Sequence, residues 1–362
     1  MSIKEPKSLH TRRDFIRKCF AFAGGVFLSG LGCDPRSKAP EVATERKEVQ
    51  NGAEVVWEPA YIVLHRSGEL KKRAEKLWAK LEVCDLCPRR CGANRLRGER
   101  GLCRATADLI VSSHHPHFGE EPELVGRGGS GTIFFCGCSS RCVFCINWEI
   151  SQTSDCPIVT VNRLADMMLE LQRLGCVNIN VVTPTHFSPH ILFALDNAAA
   201  RGLRLPLVYN TCGWENLDVL ELLDGVVDIY LPDFKWGDAA AGLKYSGLRD
   251  YPSITQQALL EMQRQVGTAK PSPNGLIRRG LMIRHLVMPN RVAGTREVLK
   301  WIAENLPPDT YVNLMAQYTP VYRAREFPEI NRRITRSEYE EAINWAQMFG
   351  LTNVKLQRIP WS

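Results

Sequence analysis

Seven of the thirteen cysteines in this chain fall in two tight groups, Cys84, Cys87, Cys91 and Cys103, then Cys138, Cys142 and Cys145. Spacings of two and three residues suit metal chelation. Neighbouring cysteines so close rarely reach bridging geometry without strain, and an odd total fits a disulfide framework poorly. The triplet Cys138-x-x-x-Cys142-x-x-Cys145 supplies three thiolates, enough for three irons of a [4Fe-4S] cluster, and leaves the fourth iron open. An open coordination position is what a catalytic metal requires, whereas an electron carrier closes its site with four cysteines. Cys156, followed by Pro157, offers such a fourth ligand and defines the alternative, a non-catalytic iron–sulfur electron-transfer protein. The upstream quartet is closed and soft; it suits tetrahedral zinc or an auxiliary iron–sulfur cluster, and spacing does not decide between them.

The elements that must position these cysteines read as alternating strands and helices. Short apolar runs occur at 132–135, 178–182, 206–210, 226–231, 281–288 and 311–315, and helical patterns separate them. Six such strands predict an α/β chain with a parallel sheet. The clearest helix follows Thr160 as N-cap, with Val161, Leu164, Met168, Leu171 and Leu174 at steps of three and four, and stops at Gly175. Those residues read as core. Residues 253–266, 295–306 and 337–348 are predicted helices as well. The triplet thus sits in the loop after the first strand. Gly126-x-Gly128-x-x-Gly131 matches a dinucleotide fingerprint in letters only, because it precedes its strand.

The 362 residues are 44% hydrophobic and 23% charged, with no apolar run long enough for a membrane span, which points to a globular chain. Of the formal charge of +7, the first 33 residues carry +4, so the body has no basic footprint and no nucleic-acid partner is expected. Those residues hold Arg12-Arg13-Asp14-Phe15-Ile16 and then an uncharged stretch from Cys19 to Gly32, too short to span a bilayer. They resemble a twin-arginine signal, which exports folded proteins to a periplasmic or membrane-anchored location; a cytoplasmic helix is the alternative. Cys33 stands where a lipid anchor would attach, although Gly30 occupies the usual lipobox leucine position. The expected organisation is signal 1–33, polar linker 34–60, cysteine-rich region 61–127, core 128–330 and helical extension 331–362.

The segment GTIFFCGCSSRCVFCINWE carries the cysteine motif of the radical S-adenosylmethionine enzymes, and the chain resembles that superfamily. The blocks LEVCDLCPRRCGANRLRGERGLCR, HFGEEPELVGRGGSGTIFF, NINVVTPTH, VYNTCGWE, VDIYLPDFKW, IRHLVMPN and NLMAQY resemble an uncharacterised branch related to pyruvate formate-lyase activating enzymes, over about residues 80–350. The resemblance implies a partial (β/α)6 TIM-like barrel. It also implies S-adenosyl-L-methionine as cofactor, a low-potential electron donor such as a flavodoxin or ferredoxin, and hydrogen abstraction from a protein or peptide. Phe144 matches the aromatic position near the adenine. The usual Gly-Gly-Glu element is replaced by Val182-Thr183-Pro184-Thr185-His186, where Thr183 and Thr185 take its place by position. Asp233-x-Lys235 resembles an Asp-x-Lys element near the cofactor, with Lys235 facing the methionyl carboxylate. Asn210 and Arg284, at later strand ends, complete the expected cofactor wall. His186, His190 and His285 are candidates for acid–base work, but a lone histidine is more often a hydrogen-bonded structural residue and radical abstraction needs no general base.

Overall fold

Alternation along each strand decides which residues meet the helices and which face away. The structure, a computed structural model, describes residues 49–50, 53–54 and 57–357. The expected signal, with Arg12, Arg13 and Cys33, lies outside the described residues. The chain divides after Val56. Before that point β1 (Val49–Gln50) pairs antiparallel with β2 (Ala53–Glu54).

The second unit opens with α1 (Tyr61–Arg66), α2 (Glu69–Ala79), β3 (Leu109–His117), α3 (Pro122–Val125) and β4 (Ser130–Phe135). It continues through α4 (Trp148–Ser151), β5 (Ile158–Val159), α5 (Val161–Arg173), β6 (Ile179–Val182), α6 (Ser188–Ala200), β7 (Leu207–Thr211) and α7 (Leu217–Leu223). Then come β8 (Ile229–Pro232), α8 (Ala239–Ser246), α9 (Tyr251–Val266), β9 (Gly280–Leu286), α10 (Thr295–Asn305), β10 (Tyr311–Met315), α11 (Arg336–Met348) and β11 (Val354–Leu356). One nine-stranded sheet results, in the order β11-β10-β9-β8-β7-β6-β4-β3-β5. All pairs from β4 to β11 are parallel, and β3 runs antiparallel between β4 and β5. The six expected strands are all present. The expected boundaries at 127/128 and 330/331 do not separate bodies, because β3 and β11 both join this sheet.

Thr160 caps α5, its hydroxyl oxygen accepting from the Arg163 N–H at 3.1 Å, and Gly175 follows the last turn with φ 84°. The odd-numbered members of β6, β7 and β9, such as Val181, Tyr209 and Ile283, enter the large core under the helices. Their neighbours Val208 and Met282, with Ile229, Leu231 and Tyr311, form a smaller apolar cluster on the other face. Leu124 of α3 closes that cluster, held by the Asn178 amide donating to its carbonyl at 2.8 Å. The 118–129 turn between β3 and β4 therefore lies over the second face. Its glycines serve close approach: a Cβ on Gly128 would come within 1.7 Å of the Gly175 carbonyl oxygen.

Candidate active site

The loop after β4 carries Cys138, Cys142 and Cys145, all free thiols. Backbone bonds fix it at several points: Arg141 N–H to Ser246 O at 2.8 Å, Val143 N–H to Tyr245 O at 2.9 Å, and Gly137 N–H to Ile150 O at 2.9 Å. The Cys142 and Cys145 sulfurs meet the hydroxyls of Ser246 and Ser151 at 3.1 and 3.2 Å, and Ser140 N–H donates to Cys138 Sγ at 3.3 Å. Burial, together with the neighbouring thiols, pushes the Cys138 thiol well up, and burial likewise raises Cys142. Thiolates here need a cation to offset them. Among the described residues no three His, Cys, Asp or Glu side chains close around a single ion. Three free cysteines on one pinned loop are a soft donor set that fits a cuboidal iron–sulfur group with one iron left open.

Cys156 is corrected. It forms a disulfide with Cys136, Cα–Cα 6.4 Å, so it is not a fourth ligand, and the closed-site reading loses the residue on which it rested.

The upstream quartet is also free, and it abuts this loop. Cys91 and Cys103 lie side by side: a Cβ on Gly101 would be 2.9 and 3.6 Å from their sulfurs. Cys84 feels the charge of Cys91, and Cys87 that of Cys103 and Cys84. Gly137, one residue before Cys138, takes φ 80° against Cys103, whose carbonyl oxygen a Cβ there would meet at 2.3 Å. Arg89 bridges the two loops, donating to Ser139 O at 2.5 Å and Gly247 O at 2.9 Å.

On the second face of the sheet the same alternation that buries Val208, Leu231 and Met282 presents Asn210, Asp233 and Arg284. Arg284 donates to Asp233 Oδ1 at 2.8 Å and to Asn210 Oδ1 at 2.6 Å, and Lys235 pairs with the other Asp233 oxygen. Burial opposes charge on Asp233, but Arg284 and Lys235 overcome it and lower its pKa. Burial likewise opposes charge on Lys235, and Asp233 with Cys142 keeps it protonated. The four expected residues Asn210, Asp233, Lys235 and Arg284 are thus one network, with its lysine in the field of the cluster loop. Phe144 is buried edge-on to Trp236 at 5.7 Å and beside Tyr318. Thr183 takes φ 57° at the end of β6. Thr185 departs from expectation: it is buried and its hydroxyl donates to Glu215 at 2.7 Å, which removes it from a ligand's reach. The histidines are structural. Burial lowers His186 to about 3 and His190 and His285 to about 4, and ring N–H groups donate to the carbonyls of Cys136, Ala107 and Phe234.

Sequence reasoning missed Glu120 and Glu121. The 118–129 turn carries Glu120 to 3.5 Å from both Arg284 and Asn210, and Glu121 to the Asn313 amide at 2.8 Å. Asn180 and Asn313 had a signal, a polar residue at alternate positions of an apolar strand; the glutamates had none, since their placement depends on the turn.

The family description of the radical SAM superfamily matches residues 132–240. An uncharacterized protein of Methanocaldococcus jannaschii is 36% identical over 278 residues, 74% of this chain and 75% of that protein.

Proposed function

The chain belongs to the radical S-adenosylmethionine superfamily, and from that premise we propose an enzyme that holds a [4Fe-4S] cluster on Cys138, Cys142 and Cys145 and acts on a protein or peptide. When bound, the cluster and S-adenosylmethionine supply one electron and a 5′-deoxyadenosyl radical that abstracts hydrogen. The fold that serves this chemistry is a partial (β/α)6 barrel built on β4 and β6–β10, with the site at the carboxyl ends of the strands.

The chain's own residues bind and orient. Lys235, fixed by Asp233, offers its ammonium to the methionyl carboxylate. Asp233, Asn210 and Arg284 form a rigid wall that holds that lysine. Phe144 and Thr183 line the cofactor's remaining edges. The single observation that carries this reading is the set of three free thiols on a pinned loop beside the buried Lys235–Asp233 pair. The disulfide of Cys156 removes support from the electron carrier.

Cys84, Cys87, Cys91 and Cys103 hold a second metal group, iron–sulfur or zinc. Export in folded form, with or without a lipid on Cys33, is supported by the Cys136–Cys156 disulfide, since such bonds persist in oxidising compartments. A low-potential flavodoxin or ferredoxin supplies the electron. The finer reading, activation of a glycyl-radical partner, rests on the motif resemblance.

The test is anaerobic incubation of reconstituted protein with dithionite and S-adenosylmethionine. Equimolar 5′-deoxyadenosine and methionine support the reading, with loss in Cys138→Ala, Cys142→Ala or Cys145→Ala. No product from a fully loaded protein overturns it. A protein-borne radical signal on a partner enzyme would establish the activase form.

A further inference from the structure

Two free cysteines among the described residues belong to neither group, Cys176 and Cys212. Cys176 has no other thiol or charged side chain acting on it. Cys212 is placed differently. It follows β7 at the carboxyl end of the sheet, two residues after Asn210, and is half-buried. The Tyr251 hydroxyl ties it to the cofactor wall: its proton is shared between the carbonyls of Cys212 and Asp233 at 2.8 and 2.7 Å, and its oxygen accepts the Lys235 N–H at 2.9 Å. Gly213, at φ 78°, lets the same turn press on the Asp233 carbonyl oxygen, which a Cβ there would meet at 2.4 Å. On the other side Arg89 lies over the Trp214 ring at 5.5 Å while it holds the Ser139 carbonyl at 2.5 Å, so the 212–214 turn and the triplet loop share one guanidinium. The Cys212 sulfur therefore stands between the triplet and Lys235. Cys138 feels its charge ahead of that of Cys142 and Cys145, and Lys235 feels Cys142 and Cys212 together.

Each sulfur of the triplet meets a polar group suited to a thiolate, the Ser246 and Ser151 hydroxyls at Cys142 and Cys145 and the Ser140 N–H at Cys138. Cys212 has the counterpart. The Ser140 hydroxyl, 3% exposed and without a hydrogen-bond partner, is turned towards the Cys212 thiol. A buried hydroxyl left idle is costly, and a sulfur carrying negative charge is the acceptor it lacks. We propose that Cys212 is an exchangeable fourth thiolate of the triplet's cluster, bound to the open iron while S-adenosylmethionine is absent and displaced when the cofactor arrives. A soft thiolate beside three others suits iron, and the single Lys235 ammonium offsets one anion at a time, the Cys212 sulfur before exchange and the methionyl carboxylate after it. The exchange balances without an electron. One iron–sulfur bond breaks, bonds from the methionyl nitrogen and carboxylate form, and the proton shed by the methionyl ammonium passes to the released thiolate. The inference rests on the reading above for the presence of the cluster.

Electron paramagnetic resonance of the full-length, reconstituted protein tests it, with Cys212→Ala and Cys212→Ser beside the parent and melting checked for all three. Without cofactor, the reduced spectra of the variants should differ from that of the parent. With saturating S-adenosylmethionine all three should coincide. Equilibrium dialysis should show S-adenosylmethionine bound at least tenfold tighter by Cys212→Ala, because a competing ligand is gone, whereas loss of a merely structural cysteine would weaken binding. Ferricyanide oxidation without cofactor should give a [3Fe-4S] signal at least tenfold stronger in the variants than in the parent. Coincident spectra in the absence of cofactor, or weaker cofactor binding by both variants, overturn the proposal. Loss of the cluster from folded variants would make Cys212 a permanent ligand and overturns the exchange. If neither variant folds, the parent decides alone: four irons retained after ferricyanide support the proposal, and a [3Fe-4S] signal overturns it. Deoxyadenosine formation in the same preparations reads the enzymatic assignment separately. Product with unchanged cofactor-free spectra sinks only the role of Cys212, and a loaded cluster that responds to the Cys212 variants but yields no product sinks only the enzyme.

Discussion

A lysine fixed by a buried aspartate in the field of a cysteine loop is a positioned charge, and its removal has a definite consequence. Lys235→Ala should weaken S-adenosylmethionine binding at least tenfold, about 1.4 kcal/mol, while the iron content stays that of the parent. Equal affinity in equilibrium dialysis would deny Lys235 that role. Glu120 gives the residue scale its pH dependence. Burial raises its carboxyl to about 7, with Arg284 pulling down and Glu121 and Asp233 pushing up, and Asn180 and Asn210 are its neutral neighbours. The Glu120 charge should therefore develop only as pH passes upward through about 7, and infrared difference spectra against Glu120→Gln that show this carboxyl already ionised at pH 5 contradict this. Asp228 titrates against the fold itself. It is buried, accepts the backbone N–H groups of Ala60 and Leu207 at 2.8 and 2.9 Å, and burial raises it to about 7. A raised folded pKa means its contribution is complete below its unfolded value and lost as pH rises through about 7. Asp228→Asn should cost stability at pH 5 and lose on the order of 2–3 kcal/mol of that disadvantage by pH 8, read by urea unfolding.

At the scale of elements, the loop after β4 works because two things hold it, a glycine that lets Cys103 approach and a disulfide that closes its base. Gly137→Ala adds a Cβ 2.3 Å from a backbone oxygen at φ 80°. It should destabilise by more than about 2 kcal/mol and lower metal content at both cysteine groups. Cys136→Ala/Cys156→Ala opens a loop of sequence separation 20 and should cost about 3 kcal/mol. The iron on the triplet should remain, whereas a closed four-cysteine cluster would lose it. The six parallel strands and the Thr160-capped helix were legible because each is a contiguous apolar or three-four patterned run. β3 was not, since only its first residues Leu109–Val111 are buried and His114, His115, Pro116 and His117 give no apolar run. β11 is three residues long and pairs only because β10 precedes it in space. Thr185 misled by position: only the fold shows Glu215 beneath it.

For the whole molecule, the sequence separated a cysteine-rich region from a core, and the structure joins them in one sheet, with the two cysteine groups meeting at Gly137 and Arg89. That contact was not legible because it pairs residues far apart in the chain. The grouping of the cysteines was legible, because their spacing is local; the meeting of Glu120, Glu121 and Asn313 was not, because a turn laid across the strands gathers them. The proposed chemistry turns on an open iron beside Lys235. It is tested most directly by electron paramagnetic resonance of the reduced, reconstituted protein with and without S-adenosylmethionine. The account predicts a [4Fe-4S]⁺ spectrum that shifts when the cofactor is added and is absent from the triple variant Cys138→Ala/Cys142→Ala/Cys145→Ala. A fully loaded cluster whose spectrum does not change with cofactor would contradict it.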